Sequence, residues 1–349
     1  MKTSRPGCLQ ISGGETRGDP GLPSAPLPPL VRYWGSSDYC YTQSLGMALE
    51  AAGAERNWLP EPGFLECLTT MPFGKLYLEL PGRPQIFFSH AAIDPNQGLS
   101  LALKTLGWCC QEWPTSAIDP VDERQALAVL QAAVKVQPAL VGPLDLGWLT
   151  YHPEYRRLHG ADHFALVLAV YDEYVLLHDP QKYPYAWLSV RDFLRAWRAE
   201  KVGYPHAPFT LRMHFCAQEQ PAPARATLIA RTLSLVHTHL SQPCEGPVLY
   251  SGVAALQRLQ AALLDERSSQ SLERQLVSFV LPLASRRLLD AALFVDEAGL
   301  AAAATCLQEQ ALLCGQAQLY LVQRKRQLLQ DCLQRLATLE AELPALLAD

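Results

Sequence analysis

The sequence predicts an α+β domain followed by an all-α domain. Three observations carry that reading. Residues 75–215 alternate short strand patterns with helical ones and include a hairpin. Gln218-Glu-Gln-Pro-Ala-Pro-Ala224 is a proline-broken stretch of linker composition. Beyond it almost every segment is rich in Ala, Leu, Gln and Arg at helical spacing. Two domains also fit a chain of 349 residues, at roughly 100–200 residues per domain.

The elements follow in order. Residues 1–30 are rich in Pro, Gly and Ser without apolar period and read as a disordered tail. From Thr42 to Gly53, Leu45, Ala48, Leu49 and Ala52 recur at helical spacing, and Gly53 supplies the stop. Ser37 and Asp38 are N-cap candidates, which puts Cys40 at the cap or in the first turn. Lys75–Leu80 and Gln85–Ser89 read as strands, and Gln97–Leu106 as a helix. Residues 122–136 form an amphipathic helix with an acidic first turn. Ala139–Gly142, His163–Val170 and Tyr174–His178 read as strands, the last two joined at residues 171–173 as a hairpin. A helix over 189–199 and a strand over 210–215 complete a domain spanning 31–217. Helices near 225–240, 248–264, 270–292, 295–315 and 316–341 fill a second domain, 225–349. The long last stretch, Gln316–Leu343, offers a face for a homodimer.

Composition excludes several classes of function. Net charge is −5, and the basic residues are scattered apart from Arg324-Lys325-Arg326, so nothing points to nucleic acid. Charge or proline interrupts every long apolar run, which predicts no membrane span. The first twenty residues lack the apolar core of a signal peptide, so the expected location is cytoplasmic. The ten cysteines have no framework spacing, and Cys306, Cys314 and Cys332 fall inside helical stretches. They read as reduced, mostly buried thiols. No CxxC pair occurs, so no metal is expected, and no cofactor either.

Thiolate chemistry needs a sulfur deprotonated near neutral pH, a base within reach, and donors where negative charge develops. A helix N-terminus helps with the first and third needs. Cys40 has that placement. His163 opens an apolar strand and is the candidate base; Asp179 closes the next strand and is the candidate orienting carboxylate. Cysteine before a helix, then histidine and aspartate on successive strands, follows the logic of a papain-like Cys/His/Asp centre. The hairpin register matters here. A strict two-residue turn sets Asp179 opposite Leu166, so the pair with His163 needs a bulge or side chains that lean together. Asp162 and Asp172 stay open as alternatives to Asp179.

Local strings resemble the family of butirosin biosynthesis protein H and, more loosely, the double-glycine-leader peptidases. The matching pieces are Asp38-Tyr-Cys40, Asp145-Leu-Gly-Trp-Leu149 with Tyr151, Asp162-His163-Phe, Tyr171-Asp172 and His178-Asp179-Pro180. In the second half they are Gly252-Val-Ala-Ala-Leu256 and Ser285-Arg286-Arg287 before Ala291-Ala-Leu293. The resemblance implies a papain-like fold and a cysteine acyltransferase in natural-product biosynthesis. Cys40 would carry an acyl group from an acyl carrier protein or other thioester donor to a small amine-bearing acceptor, with His163 moving the proton. Trp148, Tyr151 and Tyr155 would line the acceptor site, and the helical domain would keep water out.

Two departures stand out. Arg32-Tyr-Trp-Gly-Ser-Ser37 holds no glutamine where papain-like peptidases place an oxyanion donor, and Tyr41 stands where many relatives have glycine. Ser36, Ser37, Gln43 or backbone N–H groups are the substitutes. An activated thioester tolerates a weaker oxyanion site better than a peptide bond does, which favours transfer. A cysteine peptidase or amidase and a non-catalytic papain-like binding module remain the alternatives.

Overall fold

The structure is a computed structural model that describes residues 27–35, 39–80, 84–91, 93–114, 121–241, 246–264 and 269–348. It is a mixed α/β architecture with antiparallel sheets and a helical C-terminal region.

In the first half, α1 (Cys40–Ala51) and α2 (Pro62–Leu68) precede β1 (Leu76–Leu78) and β2 (Gln85–Phe87). Then come α3 (Pro95–Leu106), β3 (Trp108–Trp113), α4 (Glu123–Val136) and β4 (Ala139–Asp145). Strands β5 (Asp162–Val170), β6 (Tyr174–Asp179) and β7 (Tyr183–Ser189) form a meander, followed by α5 (Val190–Arg198) and β8 (Leu211–Ala217). Six strands make one sheet in the order β3-β8-β4-β5-β6-β7, with every pair antiparallel.

The sheet separates two apolar cores. On one face α4 and α5 bury Leu130, Phe193 and Trp197 against Val141, Ala165, Val167 and Leu177. On the other, Phe164, Leu166, Leu168 and Leu176 pack against α1 (Leu45, Leu49), and this core continues into the second half. Alternate residues of β5 thus feed opposite cores, as a period of two requires.

The second half runs α6 (Arg225–Leu240), β9 (Leu249–Ser251), α7 (Gly252–Leu264), α8 (Ser269–Gln275), α9 (Leu281–Glu297), α10 (Ala301–Val322) and α11 (Arg326–Leu346). A π-helical turn, Leu276–Val280, joins α8 to α9. Strand β9 pairs with β1, so the second half adds a strand to a sheet of the first. Phe294 of α9 packs its ring 4.8 Å from Phe64 of α2. Among the described residues no helix is long and apolar enough to cross a membrane.

Several expected boundaries move. Residues 249–251, expected as helix, are β9. The break expected near residues 293–294 falls at Gly299 instead, where φ is +81°. Helix α10 passes through Gly315, so the expected junction at 315–316 moves to Arg324-Lys325, where Arg324 has φ +55°. Helix α2 and strands β3 and β7 lie where no element was expected. Residues 1–26 of the expected tail lie outside the described residues.

Candidate active site

Cys40 is the first residue of α1 and is half-buried. The helix forms because Leu45, Met47, Ala48 and Leu49 bury completely in the core that α1 shares with the sheet, and Gly53, at φ +94°, turns the chain away after the last turn. Its N-cap is Tyr39, with no side-chain capping bond; the expected caps, Ser37 and Asp38, lie outside the described residues, as does the oxyanion candidate Ser36. Among the described residues no side chain caps the first-turn N–H groups beside the sulfur.

His163 stands second in β5, opposite Leu144 of β4, and is fully buried. Asp179 ends β6 and is buried as well. Their meeting depends on a bulge. Near the turn, Val170 pairs with Val175 and Ala169 with Leu176; beyond it, Val167 pairs with Leu177 and Leu166 with His178. One extra residue sits in β5, and Leu168 and Ala169 both face the core that holds α1. The shift carries Asp179 past Leu166 to the level of Ala165. Ala165 shares a face with His163, whereas Leu166 does not. Asp179 thus becomes a diagonal same-face neighbour of His163, within reach of a long side chain.

The contact is short and direct: His163 Nε2 lies 2.7 Å from Asp179 Oδ1. The carboxylate accepts, which fixes Nε2 as the protonated nitrogen. In the neutral ring Nδ1 then carries the lone pair. It is buried and closes no well-formed hydrogen bond, while Cys40 lies near enough to act on the ring. Burial alone would keep His163 neutral, yet the Asp179 carboxylate and the Cys40 sulfur push it up to about 10.

Asp179 is itself held on several sides. Tyr151 donates its hydroxyl to Oδ2 at 2.7 Å, the Gln181 N–H donates to Oδ1 at 2.7 Å, and the Tyr33 hydroxyl donates to the Asp179 carbonyl at 2.7 Å. Burial works against its charge, but His163, Tyr151 and the Gln181 N–H hold it below the usual carboxylate range. Tyr151, expected to line an acceptor site, therefore orients the carboxylate. Trp148, its companion in that expectation, packs edge-on against His159 at 5.2 Å, with the Arg195 guanidinium 5.0 Å above its ring. Gln43 is buried one turn beyond Cys40, and its N–H bonds Tyr39 O. Tyr155 accepts from Arg156 Nε at 2.9 Å. Of the alternatives to Asp179, Asp162 is bound by the Tyr204 hydroxyl at 3.1 Å, and Asp172 is exposed in the β5–β6 turn.

The other described thiols differ in setting. Burial pushes Cys110 and Cys314 up to about 12 and Cys67 well above the ordinary thiol range. Cys109 and Cys216 face each other across β3 and β8 with Sγ atoms 3.2 Å apart. Among the described residues no cluster of three or more His, Cys, Asp or Glu could hold a metal ion.

Sequence reasoning missed the buried groups around the first turn of α1. Glu66 of α2 accepts from Tyr41 in a very short bond and from Thr42 at 3.0 Å. Arg287 of α9 donates to Glu66 at 2.9 Å, to Tyr41 at 2.7 Å and to the Phe88 carbonyl at 3.1 Å. Tyr39 donates to Asp290 of α9 at 2.6 Å, and Arg286 lies 4.3 Å over the Tyr39 ring. The signals were Tyr41, a bulky side chain where the resemblance has glycine, and the matching string Ser285-Arg286-Arg287, neither of which showed what they meet.

Comparison with known proteins adds kinship without chemistry. The family described as YobF C-terminal domain matches residues 247–348, the span from β9 to α11. The uncharacterized protein YobF of Bacillus subtilis (strain 168) is 32% identical over 175 residues, which is 50% of this chain and 53% of that protein. The chain thus spans about half the length of the curated relative it matches.

Proposed function

We propose that this chain is a cysteine-dependent acyltransferase with a papain-like centre: Cys40 as nucleophile, His163 as proton carrier and Asp179 as orienting carboxylate. One observation carries the reading. A buried histidine is locked by a carboxylate at one nitrogen, while its other nitrogen is left open on the side of a cysteine that begins a helix. Cysteine on a helix packed against an antiparallel sheet that bears histidine and aspartate supports the papain-like assignment, as does the resemblance to the butirosin biosynthesis protein H family.

In the first half-reaction the Cys40 thiolate attacks the carbonyl carbon of a thioester on an acyl carrier protein or a similar donor. The tetrahedral oxyanion faces the first-turn N–H groups of α1. It collapses as the donor's sulfur leaves and takes the proton from His163. In the second, His163 removes a proton from an amine as the nitrogen attacks the acyl-enzyme, and Cys40 departs as thiolate. Asp179 keeps the ring in one tautomer throughout. A thioester suits a centre without the upstream glutamine, since its carbonyl is already activated.

Intact-protein mass spectrometry with a short acyl-pantetheine donor tests the nucleophile. Wild type is expected to gain one acyl group, released by added amine, and Cys40→Ala is expected to gain none. Equal acylation of Cys40→Ala would refute the assignment. Cleavage of peptide pools with no acyl-enzyme formed from thioesters would make the chain a peptidase instead.

A further inference from the structure

Both chain neighbours of Cys40 are tied down by the second half of the molecule. Tyr39 gives its hydroxyl to Asp290, under Arg286; Tyr41 takes a hydrogen bond from Arg287, which also seats on Glu66. Tyr39 and Glu66 are fully buried, and Tyr41 and Arg287 are nearly so. Among the described residues the helix they flank has no side-chain cap. The first turn is the part of a helix most prone to fray. Here it also carries the sulfur and the N–H groups that face a developing oxyanion. Position matters more at that spot than anywhere else on the helix.

We infer that Arg287 and Asp290 of α9 are positioning residues for the nucleophile, acting through Tyr41 and Tyr39, so that the active centre is built jointly by both halves of the chain. The proposal rests on the Cys40 centre described above and assigns α9 a task other than screening water. Arg287 holds three partners from a rigid fork. Glu66 and Tyr41 fix the turn laterally, and the Phe88 carbonyl anchors the fork from behind. Tyr39 and Tyr41 lie on either side of Cys40, so the two tethers oppose rotation of the turn. A side chain the size of tyrosine after the nucleophile is required for this link, because glycine reaches neither Glu66 nor Arg287. All three residues of α9 fall within the span that matches the YobF C-terminal domain.

Removing the Arg287 side chain outright would strand the buried Glu66 and is expected to unfold the chain, so milder variants decide. The test is the rate of Cys40 alkylation by iodoacetamide from pH 5 to 9 on the full chain, followed by peptide mapping. Circular dichroism and thermal melting run in parallel. Wild type is expected to label Cys40 well into the acid range, as a thiolate paired with imidazolium. The Tyr39→Phe/Tyr41→Phe double variant keeps both rings and loses both tethers. It is expected to keep its fold, to label at least about tenfold more slowly in the acid range, and to shift its profile toward that of a free thiol. Arg287→Lys, which keeps the charge and loses the fork, is expected to fall between the two. A double variant that melts earlier but retains the wild-type pH profile overturns the inference and leaves the Cys40 centre standing. A wild type whose Cys40 labels only as an ordinary thiol overturns the centre itself, and the inference with it.

Discussion

Tyr151 separates two roles that a sequence cannot tell apart. An aromatic residue near a reactive cysteine reads naturally as a wall for the acceptor, but its hydroxyl is spent on Asp179 Oδ2 at 2.7 Å. Burial lifts the tyrosine well above its ordinary range and the Asp179 charge lifts it further, so the phenol keeps its proton and remains a donor. Tyr151→Phe deletes one donor from a buried carboxylate while keeping the ring. Asp179 then carries its charge at greater cost, is held by one partner fewer, and draws His163 up more strongly. The expected outcome is Cys40 acylation slowed by about one order of magnitude, at roughly 1.4 kcal/mol per tenfold, because the carboxylate is held less firmly, with the alkaline limit of the imidazolium moved to higher pH. Acyl-donor kinetics across pH check it. A variant with an unchanged pH profile and weaker acceptor binding would return Tyr151 to the acceptor wall. Asp179→Asn removes the charge itself and is expected to cost more than Tyr151→Phe.

At the scale of elements, legibility followed the length and regularity of each pattern. The β5–β6 hairpin was readable because period-two apolar runs flank a polar turn, and the need for a bulge was readable from the count of residues between His163 and Asp179. That the extra residue is Leu168, and that it changes which face Asp179 shares, depends on two cores that no local pattern reveals. Helix α2 was hidden because Pro62–Leu68 is too short and too uniformly buried to show a period. Strand β9 has only three residues and is a strand because β1 pairs with it. Gly299 and Gly315 look alike in sequence, yet one ends a helix at positive φ and the other lies exposed inside α10. Partners hundreds of positions apart escape such reading altogether. Lys75, just before β1, is buried with its ammonium donating to Gln310 of α10 at 2.7 Å and to Glu340 of α11 in a very short bond. Glu340→Ala leaves that ammonium buried without its counter-charge and is expected to cost about 3–5 kcal/mol, measured by urea unfolding. Lys75→Met combined with Glu340→Leu removes both charges and is expected to recover most of the loss. An equally large loss in the double variant would show that packing, and not the orphaned charge, sets the cost.

Across the whole molecule, buried histidines set two opposite limits on stability. His90 lies where the first half meets α6, its ring 5.0 Å from that of His239, whose Nδ1 is 3.1 Å from the Thr70 hydroxyl. Burial, and then the proximity of His239, push His90 down to about 4; burial also lowers His239 and His178. Below the ordinary histidine value of 6.5 the unfolded chain binds protons that the folded chain refuses, so stability falls as pH drops from about 6.5 toward 4. For His90 alone the shift corresponds to about 3 kcal/mol, at roughly 1.4 kcal/mol per pKa unit. His163 works in the other direction. Its folded value is raised, so its contribution is complete below 6.5 and is lost as pH rises toward about 10. The windows do not overlap, which makes them separable by experiment. Urea midpoints of the full chain from pH 4.5 to 9.5 are expected to peak near neutrality. His90→Gln makes the acid side shallower, leaving the share of His178 and His239, and leaves the alkaline side as it was, because glutamine cannot take up the proton that the fold excludes. Asp179→Asn makes the alkaline side shallower, leaving the share of the buried thiols, and leaves the acid side, because His163 then loses the carboxylate that raises it. If His90→Gln instead moved the whole curve down in parallel, the acid limit would belong to packing at that junction and not to the refused proton.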